Sequence, residues 1–405
     1  MIVCSVGKYH KRTNKKLYLA ILFLILAVLS LFSNAFYVGA ESSTVDKSET
    51  KLSQVVEDII SGINTNELDA IVNELDTINL FDGSVKDKIS KIINGEYFSN
   101  YSSIFTSILS IFVGDIREFL PFVFTIIAIG ILSNLINEFS TNKEGANDVI
   151  HFVCMSVMVI TIIFVFRDVL SLVSVTLNNI LRQMKIIFPI LITMMASIGS
   201  FSTISIYNPL VAVLTNVVGI VFDKLLFPIF IIVFIFCILG NLTDTVKLDK
   251  FQSFLTSGFK WLVGIVFTVF AGFLSIQGIT AGRFDSVSIK ATKFAIKSYI
   301  PIVGSYIADG MDFLVLGSVL VKNTIGLVGI LIVFITILSP ILSILIVKLG
   351  LQFSSAILEM CGSRKISNFT TACSKILIMP IVIILAVSFM YLITIAIIMC
   401  TANIF

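Results

Sequence analysis

The chain has 405 residues, of which 57% are hydrophobic and 13% charged, with a mean hydropathy of +1.04 and a formal net charge of +3. A soluble domain is nearer half apolar and a quarter charged, so no globular core can hide this much apolar surface and lipid must solvate most of it. The small net charge, with no Arg/Lys block interleaved with aromatics, argues against a nucleic-acid partner.

Residues 1–16 carry Lys8, Lys11, Arg12, Lys15 and Lys16, followed by an apolar run from Leu17 to Phe32 and by Tyr37-Val38-Gly39-Ala40 before Glu41. The order charged, apolar, small is that of a secretory signal peptide over 1–40, with cleavage expected after Ala40. The alternative is an uncleaved anchor. Either way the basic end stays in the cytosol and the residues after the apolar run are exported.

Residues 41–100 are the longest polar segment, with twelve acidic and five basic residues. Val55, Val56, Ile59, Ile60 and Ile63, then Leu68, Ile71, Val72 and Leu75, recur at helical spacing. The expectation is an acidic, helical, extracytoplasmic segment, either a docking surface or a solvated spacer.

A polytopic membrane region is expected over 101–405, all-α with about six long transmembrane helices. In order they are Phe119–Leu135, Ile150–Phe166, Leu225–Leu239, Leu262–Ile276, Ile325–Val347 and Ile376–Met399. Trp261 suits a headgroup-level anchor for the fourth. Residues 168–185, with Arg182 and Lys185, resemble a helix lying in the interface.

Phe188–Ile198 and Leu210–Phe222 are each too short to cross, since a span needs about twenty residues. With Gly199-Ser200-Phe201-Ser202-Thr203 between them, they read as a re-entrant hairpin. A second such hairpin is expected at Lys297–Val321. It holds Pro301, Gly304, Gly310, Asp309 and Asp312, which an ordinary span rejects. Broken backbone of this kind survives at membrane depth only where protein or water covers it.

The prolines suggest internal repeats. Pro189 and Pro301 are 112 residues apart, as are Pro228 and Pro340, while Pro121 precedes Pro228 by 107. These spacings give repeat units of about 118–222, 225–322 and 325–405. Chance in an apolar chain is the alternative. Repeats of this length in a membrane chain often set a substrate path where copies meet. If the first span begins outside, loops 137–148, 241–260 and 348–375 lie in the cytosol, and their lysines and arginines agree. The basic stretch 282–298, with Arg283, Lys290, Lys293 and Lys297, disagrees.

These hairpins supply the candidate site residues. Asp309 and Asp312 share a helix face, and ionisable groups at membrane depth mark either a pathway or a paired structural site. Lys297, Arg283 and Lys322 are near enough in sequence to complete a charge cluster. Pro301, Gly304 and Gly310 suit a bent, closely packed element, with Lys185 and Pro189 as their counterparts. The opposite reading is a short element that ends at the surface with its aspartates merely solvated.

Enzymatic motifs are absent: there is no P-loop, no GxSxG and no HExxH, and nothing pairs a serine with His151. The six cysteines form no CxxC pair, and only His10 and His151 are present, so neither a catalytic role, nor a zinc site, nor a cofactor is expected.

Lys297…Pro301-Ile302-Val303-Gly304…Asp309…Asp312, then Val321-Lys322-Asn323-Thr324-Ile325-Gly326-Leu327-Val328-Gly329, and the closing Ala402-Asn403-Ile404, resemble the stage III sporulation protein AE family of endospore-forming bacteria. The resemblance covers about residues 100–405. It implies an integral membrane component of a channel complex linking mother cell and forespore, in the mother-cell membrane around the forespore. The implied partners are the other proteins of the same operon and a forespore membrane protein. The resemblance is compatible with two roles. One is a conducting or transport subunit, with the hairpins around Pro189 and Pro301 lining the path. The other is a membrane scaffold that anchors the complex.

Overall fold

The computed structural model describes residues 55–62, 66, 69–70, 86–87, 101–139, 144–242, 248–299 and 303–401. The expected signal peptide lies outside them, as do most of the acidic segment, Pro301 and the closing Ala402-Asn403-Ile404. Among the described residues there is no strand. The elements are α1 Tyr101–Phe139, α2 Glu144–Ile198, α3 Phe201–Val221, a π-helical turn Phe222–Leu226, α4 Phe227–Leu242, α5 Asp249–Tyr299, α6 Gly304–Met360, α7 Arg364–Ile376 and α8 Ile378–Cys400.

Helices are what lipid demands of this sequence, because each backbone N–H and C=O must find its partner within the segment. Among the described residues, six stretches are long and apolar enough to cross a membrane: Leu109–Ile136, Phe152–Ile198, Thr215–Leu242, Lys250–Gly272, Gly304–Met360 and Arg364–Cys400. Five of them contain all or nearly all of a span expected from sequence, and Lys250–Gly272 contains the first eleven residues of Leu262–Ile276.

Neither expected re-entrant pair is a pair of short elements: Leu210–Phe222 lies in the 21-residue α3 and the π turn after it, and the other arms belong to longer helices. Phe188–Ile198 is the end of α2, continuous with the second span and with residues 168–185. Phe313–Val321 is continuous with the fifth span in α6. The physical reason is local. Pro189 removes one backbone donor but does not stop the helix, and the Thr193 hydroxyl donates to the Pro189 carbonyl at 2.9 Å. Thr125 does the same for Pro121 at 2.8 Å. These are ordinary bonds from a hydroxyl to the carbonyl one turn back, and the carbonyls that the two prolines free are those of Lys185 and Arg117, four residues before each. The result is great length. At 1.5 Å per residue, the 55 residues of α2 and the 57 of α6 each reach roughly 80 Å, against a hydrocarbon core of roughly 30 Å.

The prolines paired by spacing occupy different settings. Pro189 lies inside α2, Pro228 in the first turn of α4, and Pro340 well inside α6. Pro228 also accounts for the π turn before it. Its ring would press on the carbonyl four residues back, and widening the turn relieves this.

Breaks do occur where glycine takes positive φ. Gly199 (φ 88°) ends α2 and Gly362 (φ 86°) ends α6. At each, the next residue's N–H reaches back five positions, Ser200 to Met195 O at 3.0 Å and Ser363 to Leu358 O at 3.0 Å. This closing pattern satisfies the carbonyls left open at a helix end.

The core lies where α1, α2, α4, α6 and α8 meet. Phe166 of α2 stacks on Phe234 of α4 at 3.7 Å between centroids, and Phe188 of α2 meets Tyr391 of α8 edge-on at 5.3 Å. Small residues let helices approach, as they do in membranes generally. A Cβ on Gly350 of α6 would fall 2.4 Å from Phe119 of α1, and one on Gly326 would fall 2.5 Å from Met399 of α8.

Two ends of the molecule are distinguishable. At one, Ile198, Ile289 and Val315 cluster beside the α2–α3 turn. The helical stretch 55–62 sits there too, with Val55 Cγ1 3.1 Å from the Cβ position of Gly317 and with Val56 and Ile60 buried. At the other, Ser363 donates to Gly130 O at 2.7 Å, and Cys237 of α4 lies 3.9 Å from Cys373 of α7.

Candidate functional site

The structure brings together part of the expected charge cluster. Lys297 of α5 lies 3.4 Å from Asp309 of α6, and Lys293, one turn earlier, pairs with Asp312. The lysines are four apart and the aspartates three, so each pair faces the other across the α5–α6 hairpin like two rungs. The rungs differ in exposure. Lys293 keeps 16% of its side chain accessible, whereas Lys297 and Asp309 keep 49% and 63%. Lys293 is the partner that sequence reasoning does not single out. Its signal is available: it stands four before Lys297 on the same face.

Lys322 goes elsewhere. It is fully buried, and its Nζ donates to the Thr401 carbonyl at 2.6 Å and the Met399 carbonyl at 3.2 Å. Those carbonyls end α8, where Thr401 turns extended (φ −82°, ψ 146°). A helix C-terminus carries unsatisfied acceptors and the negative end of the dipole, so a lysine there is both hydrogen-bonded and electrostatically matched. Tyr207 of α3 joins the same knot, its hydroxyl 3.4 Å from Thr401 Oγ1. Burial pushes the Tyr207 phenol up from its ordinary pKa, so it stays neutral. The sequence signature Val321–Gly329 is thus the surface on which the chain's last helix ends: Gly326 faces Met399, and Gly329 faces Ile187 and Ile395.

The remaining candidates are dispersed. Lys185 and Pro189 are exposed on α2, well before the Gly199 turn, and the Arg283 side chain lies outside the described residues. Gly304 is the buried first residue of α6. Gly310 is not required for close packing, because a Cβ there would meet nothing within 4 Å. Two polar contacts between α1, α2 and α6 have no counterpart among the sequence expectations. Ser343 donates to Asp115 at 2.6 Å, and Gln183 donates to Thr336 at 2.7 Å. Nothing in the local sequence marks these pairs, since their partners are 228 and 153 residues away.

No group of three or more His, Cys, Asp or Glu able to hold a metal occurs among the described residues. Lys293, Lys297 and Lys322 with their partners tie helix to helix. Six apolar helical stretches joined in this way define a multi-pass helical membrane protein.

Comparison with known proteins gives the family. Residues 83–402 match Stage III sporulation protein AE, and the chain belongs to that family. It is therefore a sporulation membrane protein, and the match begins before residue 100, inside the acidic segment. The chain is also similar to Stage III sporulation protein AE of Bacillus subtilis (strain 168), 22% identical over 389 residues, which is 94% of this chain and 97% of that one. No solved structure matches.

Proposed function

We propose that this protein is the multi-pass component that holds the channel complex of endospore formation in the mother-cell membrane around the forespore. Its partners there are the other proteins of its operon and a forespore membrane protein. The observation that carries an anchoring role is the use made of the charges. Lys293 and Lys297 are paired with Asp312 and Asp309, and Lys322 caps α8, so these groups serve the protein's own assembly. Helices of 55 and 57 residues also extend far past what a crossing needs, which leaves lengths of α2 and α6 for partners to grip.

The export expected of residues 55–62 sets the orientation in this reading. With residues 55–62 exported, the α5–α6 hairpin faces outside and the Gly362 turn faces the cytosol. The outward cations of 282–298 then offend the positive-inside rule less, because Lys293 and Lys297 carry their own counter-ions.

A conducting role is the second reading. Asp223, a carboxylate lining a cleft inside the apolar stretch Thr215–Leu242, favours it. The double change Asp309→Asn with Asp312→Asn separates the two. Under the anchoring reading, sporulation falls only as far as protein level or partner capture falls. Loss of sporulation at full level and full partner capture would overturn it in favour of conduction through the hairpin.

A further inference from the structure

The α5–α6 hairpin ends well beyond the last crossing. α8 closes on Lys322, and from there α6 runs on to its first residue, Gly304, roughly 27 Å away by helical rise. Near that end the pair Lys297–Asp309 keeps 49% and 63% of its side chains accessible. Full charges this open belong in water, not in lipid. Past the pair the surface turns apolar. No residue between Lys297 and Asp309 is charged. Tyr299 and Tyr306 are 85% and 77% exposed, Val303 and Ile307 are exposed beside them, and Phe294 is 73% exposed just below Lys297. Apolar side chains open along a span face the lipid around it. These lie outside the span, where such a patch marks an interaction site.

The chemistry of the patch is that of a bilayer surface. There, apolar groups enter the acyl boundary, tyrosines sit at the headgroups and lysines reach the phosphates. The charge agrees. Over residues 286–312 the charged groups are Lys290, Lys293 and Lys297 against Asp309 and Asp312, and both acids are held in pairs. Lys290 is exposed and makes no ion pair among the described residues, so the hairpin carries an excess positive charge. It shares one face of α5 with Phe294 and Lys297, at helical spacing. A second copy would set that excess against itself, whereas anionic lipid complements it.

We propose that the exposed end of the α5–α6 hairpin docks on an anionic lipid bilayer other than the one the helices cross. Tyr299, Val303, Tyr306 and Ile307 enter its headgroup boundary. The hairpin leans on the α5 face, so that Phe294 follows them and Lys290 and Lys297 meet lipid phosphates. The crossed bilayer is out of reach, because α5 and α6 carry this end away from it. The inference goes beyond the anchoring reading and holds in either role, since the hairpin lies outside the crossing in both.

The test uses the full-length protein in phosphatidylcholine nanodiscs, mixed with separate vesicles and floated. Vesicles of phosphatidylcholine with phosphatidylglycerol should carry the protein up, and pure phosphatidylcholine vesicles should carry less of it. Nanodiscs without protein should stay behind. Tyr299→Ser with Tyr306→Ser should weaken the binding at least about tenfold. Lys290→Gln should reduce the preference for phosphatidylglycerol. Trp261 is the chain's one tryptophan and lies on the α5 span, inside the nanodisc. Tyr306→Trp adds a second reporter at the hairpin end. Brominated lipid in the vesicles should quench the added emission and leave that of Trp261 in the wild type unchanged. If the double serine variant does not fold, the quenching decides alone. No flotation with anionic vesicles, undiminished flotation of the double variant, or no quenching would overturn the proposal. Hairpin-dependent pairing of nanodiscs without vesicle binding would overturn it in favour of a second copy.

Discussion

Lys322 and Thr401, 79 residues apart in the chain, meet at 2.6 Å, the ammonium of one donating to the carbonyl of the other. A buried lysine is expensive unless its donors are used, and an unfinished helix end is expensive unless its acceptors are used. Each solves the other's problem. Lys322→Met keeps the volume and removes the donor, so the carbonyls at the end of α8 lose their partner. The expected cost is about 1–3 kcal/mol. Thermal unfolding in detergent should show a lower midpoint, and limited proteolysis should release the C-terminal end first. A variant as stable as wild type would show that the contact is incidental.

The two ion pairs of the α5–α6 hairpin should not be equal. The Lys293–Asp312 pair is the less exposed, and Lys297–Asp309 is largely in solvent. Exposed pairs contribute about 0–1 kcal/mol and are screened by salt. A double-mutant cycle should therefore find near-zero coupling for Lys297 with Asp309. The coupling for Lys293 with Asp312 should be larger and should survive roughly 0.5 M salt better, because burial limits screening. Equal couplings would mean that exposure does not rank them.

Glycine substitutions discriminate packing from conformational freedom. Gly350→Ala places a methyl 2.4 Å from Phe119 Cε1 and 3.1 Å from Val123 Cγ2, so α1 and α6 must separate. Overpacking of this kind costs about 1–3 kcal/mol. Gly310→Ala meets nothing within 4 Å and sits in a helix, where alanine is favoured by up to about 1 kcal/mol. The first should lower the unfolding midpoint and the second should leave it unchanged or raise it.

How far the fold can be read in advance depends on the range of the forces. The six spans are legible because lipid acts on every residue of a run, and Ile325–Val347 or Ile376–Met399 needs no distant partner to be helical. The hairpins differ from expectation because the apolar runs 188–198 and 210–222, taken by themselves, are too short to cross. Yet the helix continues through Pro189 with one backbone hydrogen bond fewer, and a charge at the end of a span need not end a helix. Only Gly199 breaks the run, and there the glycine that positive φ requires is plain in the sequence. Asp309 and Asp312 are recognisable as a pair by spacing, and Lys297 as a neighbour. Proximity in sequence groups Lys322 with them. Its true partners lie at the far end of the chain, and no local pattern announces them.

Continuity of α2 through 168–198 and of α6 through 304–360 is the claim with the widest consequences, and a cysteine scan across 185–222 and 297–322 tests it. One helix gives labelling that rises and falls about every 3.6 residues without interruption. In α2 the accessible set should include Lys185, Pro189 and Thr193, with Met184, Phe188, Leu191 and Met195 protected. The rhythm should reset at Gly199 and Ser200, where the chain turns into α3. In α6 it should run unbroken from Tyr306 through Leu314 to Leu320, with Ala308, Val315 and Lys322 protected. Positions 185–188 and 219–222 share a level in both readings, since Leu181 packs on Gly219, but in a re-entrant pair the turn at 199–203 would stay at membrane depth, reached by a membrane-impermeant reagent only from the side that labels 185. Labelling of positions 185 and 201 from opposite sides would bear out a crossing helix. Labelling of both from one side, with a protected stretch between them, would restore the hairpin.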